Sequence, residues 1–93
     1  MNEISRTVLI ENRRGLHARA SAKLVTLAST QPVQLTVEKS GSRGSRVTAT
    51  SIMGLMMLGA AMGDSITISA EGDGAEGAVT ALAELVEARF GEE

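Results

Sequence analysis

The chain has 93 residues, 43% hydrophobic and 22% charged, with a net charge of −2, no cysteine and one aromatic residue, Phe90. A chain of this length is expected to form one domain over residues 1–93, with an economical core, and its composition is that of a folded rather than a disordered protein. The lack of cysteine excludes disulfides and thiolate metal sites, and neither a metal nor another cofactor is expected; the acidic balance and missing aromatic platforms argue against nucleic acid.

No apolar run nears the roughly 20 residues of a membrane span, and Met1-Asn2-Glu3-Ile4 lacks the regions of a signal peptide. A cytoplasmic location without membrane insertion is therefore expected. Basic residues nevertheless cluster. Arg13, Arg14 and Arg19 surround the single histidine, His17, while Lys39, Arg43 and Arg46 lie in a Gly/Ser-rich stretch and acids gather towards the C-terminus.

Val8 and Ile10, alternating with Thr7 and Leu9, predict a first strand over 6–10. Ala20, Leu24, Leu27 and Ala28 fall at helical spacing and predict a helix over 18–29, which Pro32 prevents from continuing. Val33, Leu35 and Val37 alternate with Gln34, Thr36 and Glu38 in a second strand. Residues 40–45 read as a hairpin connection to a third strand over 46–49, followed by a short Met-rich helix over 51–58.

Ile66, Ile68 and Ala70 mark a fourth strand. Asp73 and Glu76 form an Asp variant of the capping box, opening a last helix that runs to about Phe90, with Ala78, Leu82, Leu85 and Val86 as its core stripe and Gly91 as its stop. Strands alternating with helices in so short a chain predict an α+β fold, one sheet with helices on one face and the other face solvated.

Two segments carry chemistry. In Gly15-Leu16-His17-Ala18-Arg19 the histidine stands where a glycine-bearing loop runs into a helix, so unpartnered backbone N–H groups and the positive end of the helix dipole would favour an anion on its ring. Arg19 would clamp that anion with paired hydrogen bonds, and a histidine neutral near pH 7 suits a group that takes up and releases phosphoryl. Taken alone, the pentapeptide favours a solvated or capping histidine beside an ordinary turn glycine. The second segment, Ser51-Ile52-Met53-Gly54-Leu55-Met56-Met57-Leu58-Gly59, reverses that balance.

This second segment holds too many large apolar groups for one buried stripe. Leu55 and Leu58 are expected in the core. Ile52, Met53 and Met56, with Gly54 keeping one side of the helix small, form an expected partner-binding patch, because flexible thioethers fit more than one partner.

Together, in this order and spacing, the two segments resemble the active-site and regulatory-serine motifs of the histidine-containing phosphocarrier protein HPr of the bacterial phosphotransferase system, and the resemblance covers essentially the whole chain. It implies an open-faced β-sandwich, a four-stranded antiparallel sheet with three helices packed on one face. It implies that His17 carries phosphoryl on Nδ1, received from enzyme I and passed to EIIA-type acceptors, with Arg19 beside it. It also implies that Ser51 is a regulatory phosphorylation site for an HPr kinase/phosphorylase. The chain would then be a monomeric carrier and not an enzyme with turnover of its own.

Two departures qualify the match. Ala20 stands where the family usually has proline, which loosens the helix start slightly, and the 40–45 hairpin is longer than is common. Sugar uptake is the family default; the alternatives are a nitrogen-branch regulatory carrier (NPr) and an interaction module, controlled through Ser51, that carries no phosphate.

Overall fold

The computed structural model describes residues 3–41 and 44–92. Four strands, β1 (Glu3–Leu9), β2 (Leu35–Lys39), β3 (Val47–Thr48) and β4 (Ser65–Glu71), form one antiparallel sheet in the order β1-β4-β2-β3. Helices α1 (Ala18–Ala28), α2 (Ile52–Met57) and α3 (Ala75–Glu87) cover one face, and a 3₁₀ turn at Arg89–Gly91 follows α3.

β4 is the template of the sheet. Its alternation sends Ile66, Ile68 and Ala70 to the helix side, where they meet Val8 of β1 and Leu35 and Val37 of β2 through the pairs Val8↔Ile66, Val37↔Ile68 and Leu35↔Ala70. Onto this floor α1 brings Ala20, Leu24 and Ala28, α2 brings Leu55, and α3 brings Ala78, Val79, Leu82, Ala83 and Val86. Each large side chain so removed from water contributes about 1.5–3 kcal/mol, and the alanines let the helix backbones lie close to the sheet. The opposite face is polar. There Thr7 and Thr67 share a hydroxyl–hydroxyl bond of 2.8 Å, and Arg46 reaches Glu3 at 2.9 Å and Glu38 at 3.8 Å.

The expected elements are all present, with corrected limits. The first strand reaches back to Glu3 and ends at Leu9, because β1 pairs with β4 along its whole length. Residues 3–7 lie exposed on a sheet edge, so no apolar alternation marks them. Ile10 falls just past the strand, fully buried, exchanging 2.9 Å backbone bonds with Asp64 and Gly63.

The third strand shrinks to Val47–Thr48, since the chain turns at once into α2 and the Ser51 N–H bonds back to the Thr48 carbonyl. The second strand starts at Leu35, leaving Val33 half-buried outside it. Within the 40–45 connection, Ser42 and Arg43 lie outside the described residues. α1 ends one residue early, with Ser29 as its C-cap.

The capping box at Asp73 does not form. The N-cap of α3 is Gly74, in a left-handed conformation (φ 89°) that bonds no side chain to the helix, so Asp73 comes one residue too soon and Glu76 serves only as a negative charge in the first turn. A Cβ on Gly74 would stand 2.7 Å from Pro32 Cγ, so packing against the β2 approach selects glycine there. α3 stops at Glu87, before Phe90 and Gly91, because Arg89 (φ 58°) and Phe90 (φ 56°) turn left-handed and drive the Phe90 ring into full burial. Its core stripe includes Val79 and Ala83, while Leu85 is only half-buried.

One glycine ties the loop before α1 to the rest. Gly15 (φ 61°) approaches the chain after α2 so closely that a Cβ would lie 2.5 Å from the Ala60 carbonyl oxygen and 2.8 Å from Ala61 Cα, whereas Gly59 (φ 66°) faces open space. Gly15→Ala is expected to lower stability by about 2–5 kcal/mol, left-handed strain plus overpacking, against about 1–2 kcal/mol for Gly59→Ala, from strain alone. Urea denaturation of both variants checks this; equal losses would contradict it.

Candidate functional site

The loop between β1 and α1 is closed by Asn12, which is fully buried. Its carbonyl accepts from the Gly15 N–H at 3.2 Å and its Nδ2 donates to the Gly15 carbonyl at 2.9 Å. With the Leu16 N–H bound to the Ala60 carbonyl at 3.0 Å, this turn buries Leu16 and delivers His17 to the N-cap of α1 in extended geometry (φ −75°, ψ −179°). The His17 carbonyl accepts the first helical bond from the Ser21 N–H at 2.9 Å, and Ser21 Oγ donates to the Leu16 carbonyl at 3.2 Å.

The imidazole does what a serine or aspartate oxygen usually does at this position: Nδ1 accepts from the Arg19 backbone N–H. At 3.3 Å the bond is long and weak. The capping reading of His17 is thus met, and the ring stands at the positive end of a helix. The first turn of α1 carries no acidic side chain, so its dipole is not offset there.

The other ring nitrogen has a partner that sequence reasoning missed. Nε2 lies 2.7 Å from Glu92 Oε2, with both side chains about four-fifths buried. Glu92 Oε1 accepts from Asn12 Nδ2 at 3.1 Å, so one buried amide holds both the loop and the carboxylate. Asn12 Oδ1 has no hydrogen-bond partner among the described residues. Glu92 arrives through the left-handed turn at Arg89–Phe90, which Lys23 clamps by donating from Nζ to the Phe90 carbonyl at 2.6 Å. A separation of 75 residues left no local pattern to announce this contact.

Arg13, Arg14, His17, Arg19 and Glu92 line a cavity of about 360 Å³. Among the described residues none of its three guanidinium groups pairs with a carboxylate. Free planar donors around a ring at a helix start suit a tetrahedral dianion better than any neutral ligand. A larger groove, about 480 Å³ along α1 and Leu85, shares Arg19 but is lined mainly by apolar surface.

On α2, Ser51 is the N-cap, its Oγ accepting from the Gly54 N–H at 2.9 Å. A Cβ on Gly54 would stand 3.0 Å from Ser51 Oγ and 3.1 Å from Val47 Cβ, so the glycine preserves the cap and its packing on β3. Leu55 and Leu58 are buried, as expected. Ile52, Met53 and Met56 are exposed, Met53 to 71%, and so are Met57 at 77% and Met62 at 57%, to which the sequence assigns no place. Among the described residues no helix is long and apolar enough to cross a membrane.

The sheet, its three helices and the loop at His17 define the open-faced α+β class seen in a crystal structure of HPr-C-His from Thermoanaerobacter tengcongensis. That structure has a TM-score of 0.85 and 46% identity, covering 100% of this chain and 99% of that one. A family model described as "PTS HPr component phosphorylation site" matches residues 4–88. The chain is 43% identical over 89 residues to the phosphocarrier protein HPr of Cupriavidus necator, covering 96% of this chain and 97% of the relative. It is 40% identical over 92 residues to the phosphocarrier protein NPr of Shewanella violacea, covering 99% and 98%. The chain therefore belongs to the HPr family of phosphocarriers, proteins that carry a phosphoryl group and are not catalysts.

The hydrogen bond from His17 holds the Glu92 carboxyl below the usual glutamate range; partial burial opposes this, while Asn12 and the charges of His17 and Lys23 support it. Because the folded value is depressed, the linked stabilisation is fully present above the ordinary glutamate range and is lost as pH falls through the lowered value. A ¹³C NMR titration of the Glu92 carboxyl should give a midpoint below that range, moving upward in His17→Ala. An unmoved midpoint would show that the ring does not hold the carboxylate.

Proposed function

We propose that His17 is the phosphoryl-carrying residue and that Nδ1 is the atom that bears the group, received from enzyme I and passed to EIIA-type acceptors. The observation that carries this reading is the place of Nδ1, at the start of α1 against the Arg19 N–H and in a cavity with three arginines that pair with no carboxylate among the described residues. As Nδ1 attacks phosphorus it gives up the weak bond from Arg19, and that N–H then turns to a phosphoryl oxygen. The Ala18 and Ala20 N–H groups, which have no partner within the helix, and the Arg19 guanidinium stabilise the same charge. The open cavity leaves the phosphoramidate accessible to an acceptor.

Relatives named HPr and NPr match with nearly equal identity, so the reading advanced is the chemistry common to the sugar and nitrogen branches. The exposed apolar patch of Ile52, Met53 and Met56, shaped by Gly54, is the docking surface in this reading. Ser51 is its regulatory phosphorylation site. A phosphate there, about −1.5 to −2 charges, is tolerated at a helix start and unfavourable in an apolar interface.

His17→Ala should accept no label from enzyme I and phosphoenolpyruvate while keeping its fold, at a cost on the order of 1 kcal/mol for the lost cap. Acid-labile label on the variant would exclude His17 as the carrier. Met53→Glu should weaken enzyme I binding at least about tenfold, since the charge must be desolvated only in the complex, with little change in Tm. Calorimetric titration beside a melting curve checks this; a lowered Tm with unchanged affinity would assign Met53 to the core.

A further inference from the structure

We infer that Glu92 is a positioning residue for His17, its carboxylate fixing the ring in the Nε2–H form so that Nδ1 alone presents a lone pair. The inference rests on the reading of His17 as the phosphoryl acceptor and adds a residue to that site.

A neutral imidazole has one N–H and one lone pair, and the partner of either nitrogen determines the state of the other. Here both nitrogens have partners. An ionised carboxylate only accepts, so Glu92 Oε2 at 2.7 Å requires the hydrogen on Nε2. A backbone N–H only donates, so Arg19 at 3.3 Å requires a lone pair on Nδ1. The two contacts demand the same tautomer. The depressed Glu92 value keeps the carboxylate ionised as the pH falls into mild acid.

Glu92 is itself held firmly. Asn12 Nδ2 binds its second oxygen, and Lys23 fixes the turn that brings it in. Among the described residues, Arg13, Arg14, Arg19 and Lys23 are the cations around the pair, and Glu92 is the carboxylate facing the ring.

The electron count explains the use of such an arrangement. On loading, the Nδ1 lone pair forms the N–P bond, and the bond from phosphorus to the donor's leaving atom breaks with its electron pair going to the donor. Nε2 keeps its proton, so the ring becomes a phosphorylated imidazolium, and its positive charge faces the Glu92 carboxylate. On unloading, the N–P electron pair returns to Nδ1 and the ring is neutral again. No proton moves to or from the ring in either direction. A carboxylate behind a histidine acts in this way in hydrolytic triads and metal sites, setting tautomer and orientation without taking the proton.

The test uses the full-length chain, its Glu92→Gln and Glu92→Asp variants, and labelling with ¹⁵N-histidine. Two-bond ¹H–¹⁵N spectra of the unphosphorylated proteins, at a pH where the ring is neutral, report the tautomer. Phosphoryl acceptance is timed with enzyme I plus phosphoenolpyruvate and, separately, with potassium phosphoramidate. The wild type should show the Nε2–H form. Glu92→Gln is isosteric, but its amide can donate to Nε2; it should lose the dominance of that form and accept phosphoryl about tenfold or more slowly, as when the partner of a metal-bound histidine is removed. Its Tm should be nearly unchanged, and Glu92→Asp should recover part of both effects.

A Glu92→Gln variant that keeps either the wild-type tautomer or the wild-type rate overturns the inference while leaving His17 as acceptor. A wild type that takes phosphoryl from neither donor overturns the carrier reading and this inference with it.

Discussion

Burying Phe90 obliges the chain to reverse immediately after α3. The ring is the largest side chain in the core and fully removed from water, and two consecutive non-glycine residues adopt left-handed backbone to put it there. Such residues cost about 1–2 kcal/mol each, and the apolar burial of the ring, about 3 kcal/mol, is of the size needed to offset them. The geometry that results reaches the candidate site. It returns the chain towards α1, where Lys23 holds the Phe90 carbonyl and Glu92 meets His17. A packing requirement at the end of one helix thereby sets the surroundings of a histidine at the start of another.

The other side of the same site depends on backbone proximity. Gly15 lets the loop lie against Ala60 and Ala61, which fixes the direction in which α1 starts, and Asn12 links that loop to Glu92 through a single amide. The segment that follows α2 is therefore physically continuous with the loop that carries His17.

What the sequence revealed and what it hid follow from the range of the interactions involved. The alternation of Ile66, Ile68 and Ala70 and the helical spacing of Ala20, Leu24 and Ala28 are local, so these elements were legible, although Leu27 and Leu85 of the expected stripes are only half-buried and Ser21 is buried. The exposure of Met53 could be read because six large apolar groups cannot all be buried by one short helix. Exposed residues 3–7 of β1 gave no such pattern, since their pairing is dictated by β4, some sixty residues away. Asp73 satisfied a capping rule on paper, but contact with Pro32 selected Gly74 as the cap. Glu92 was invisible because nothing in a run of glutamates near residue 93 indicates that Phe90 will turn one of them inward.

The acid-free first turn of α1 has a thermodynamic consequence of its own. Natural helices commonly place a carboxylate there, and α3 does so with Glu76. α1 instead begins Ala18-Arg19-Ala20 and forgoes that stabilisation, on the order of 0.3–1 kcal/mol. An anion held at the helix start would add negative charge there beside that of Glu92, which meets the N-cap ring from outside the helix. In the reading of His17 as the carrier, free energy withheld from folding at this helix start is free energy available for holding the phosphoryl group.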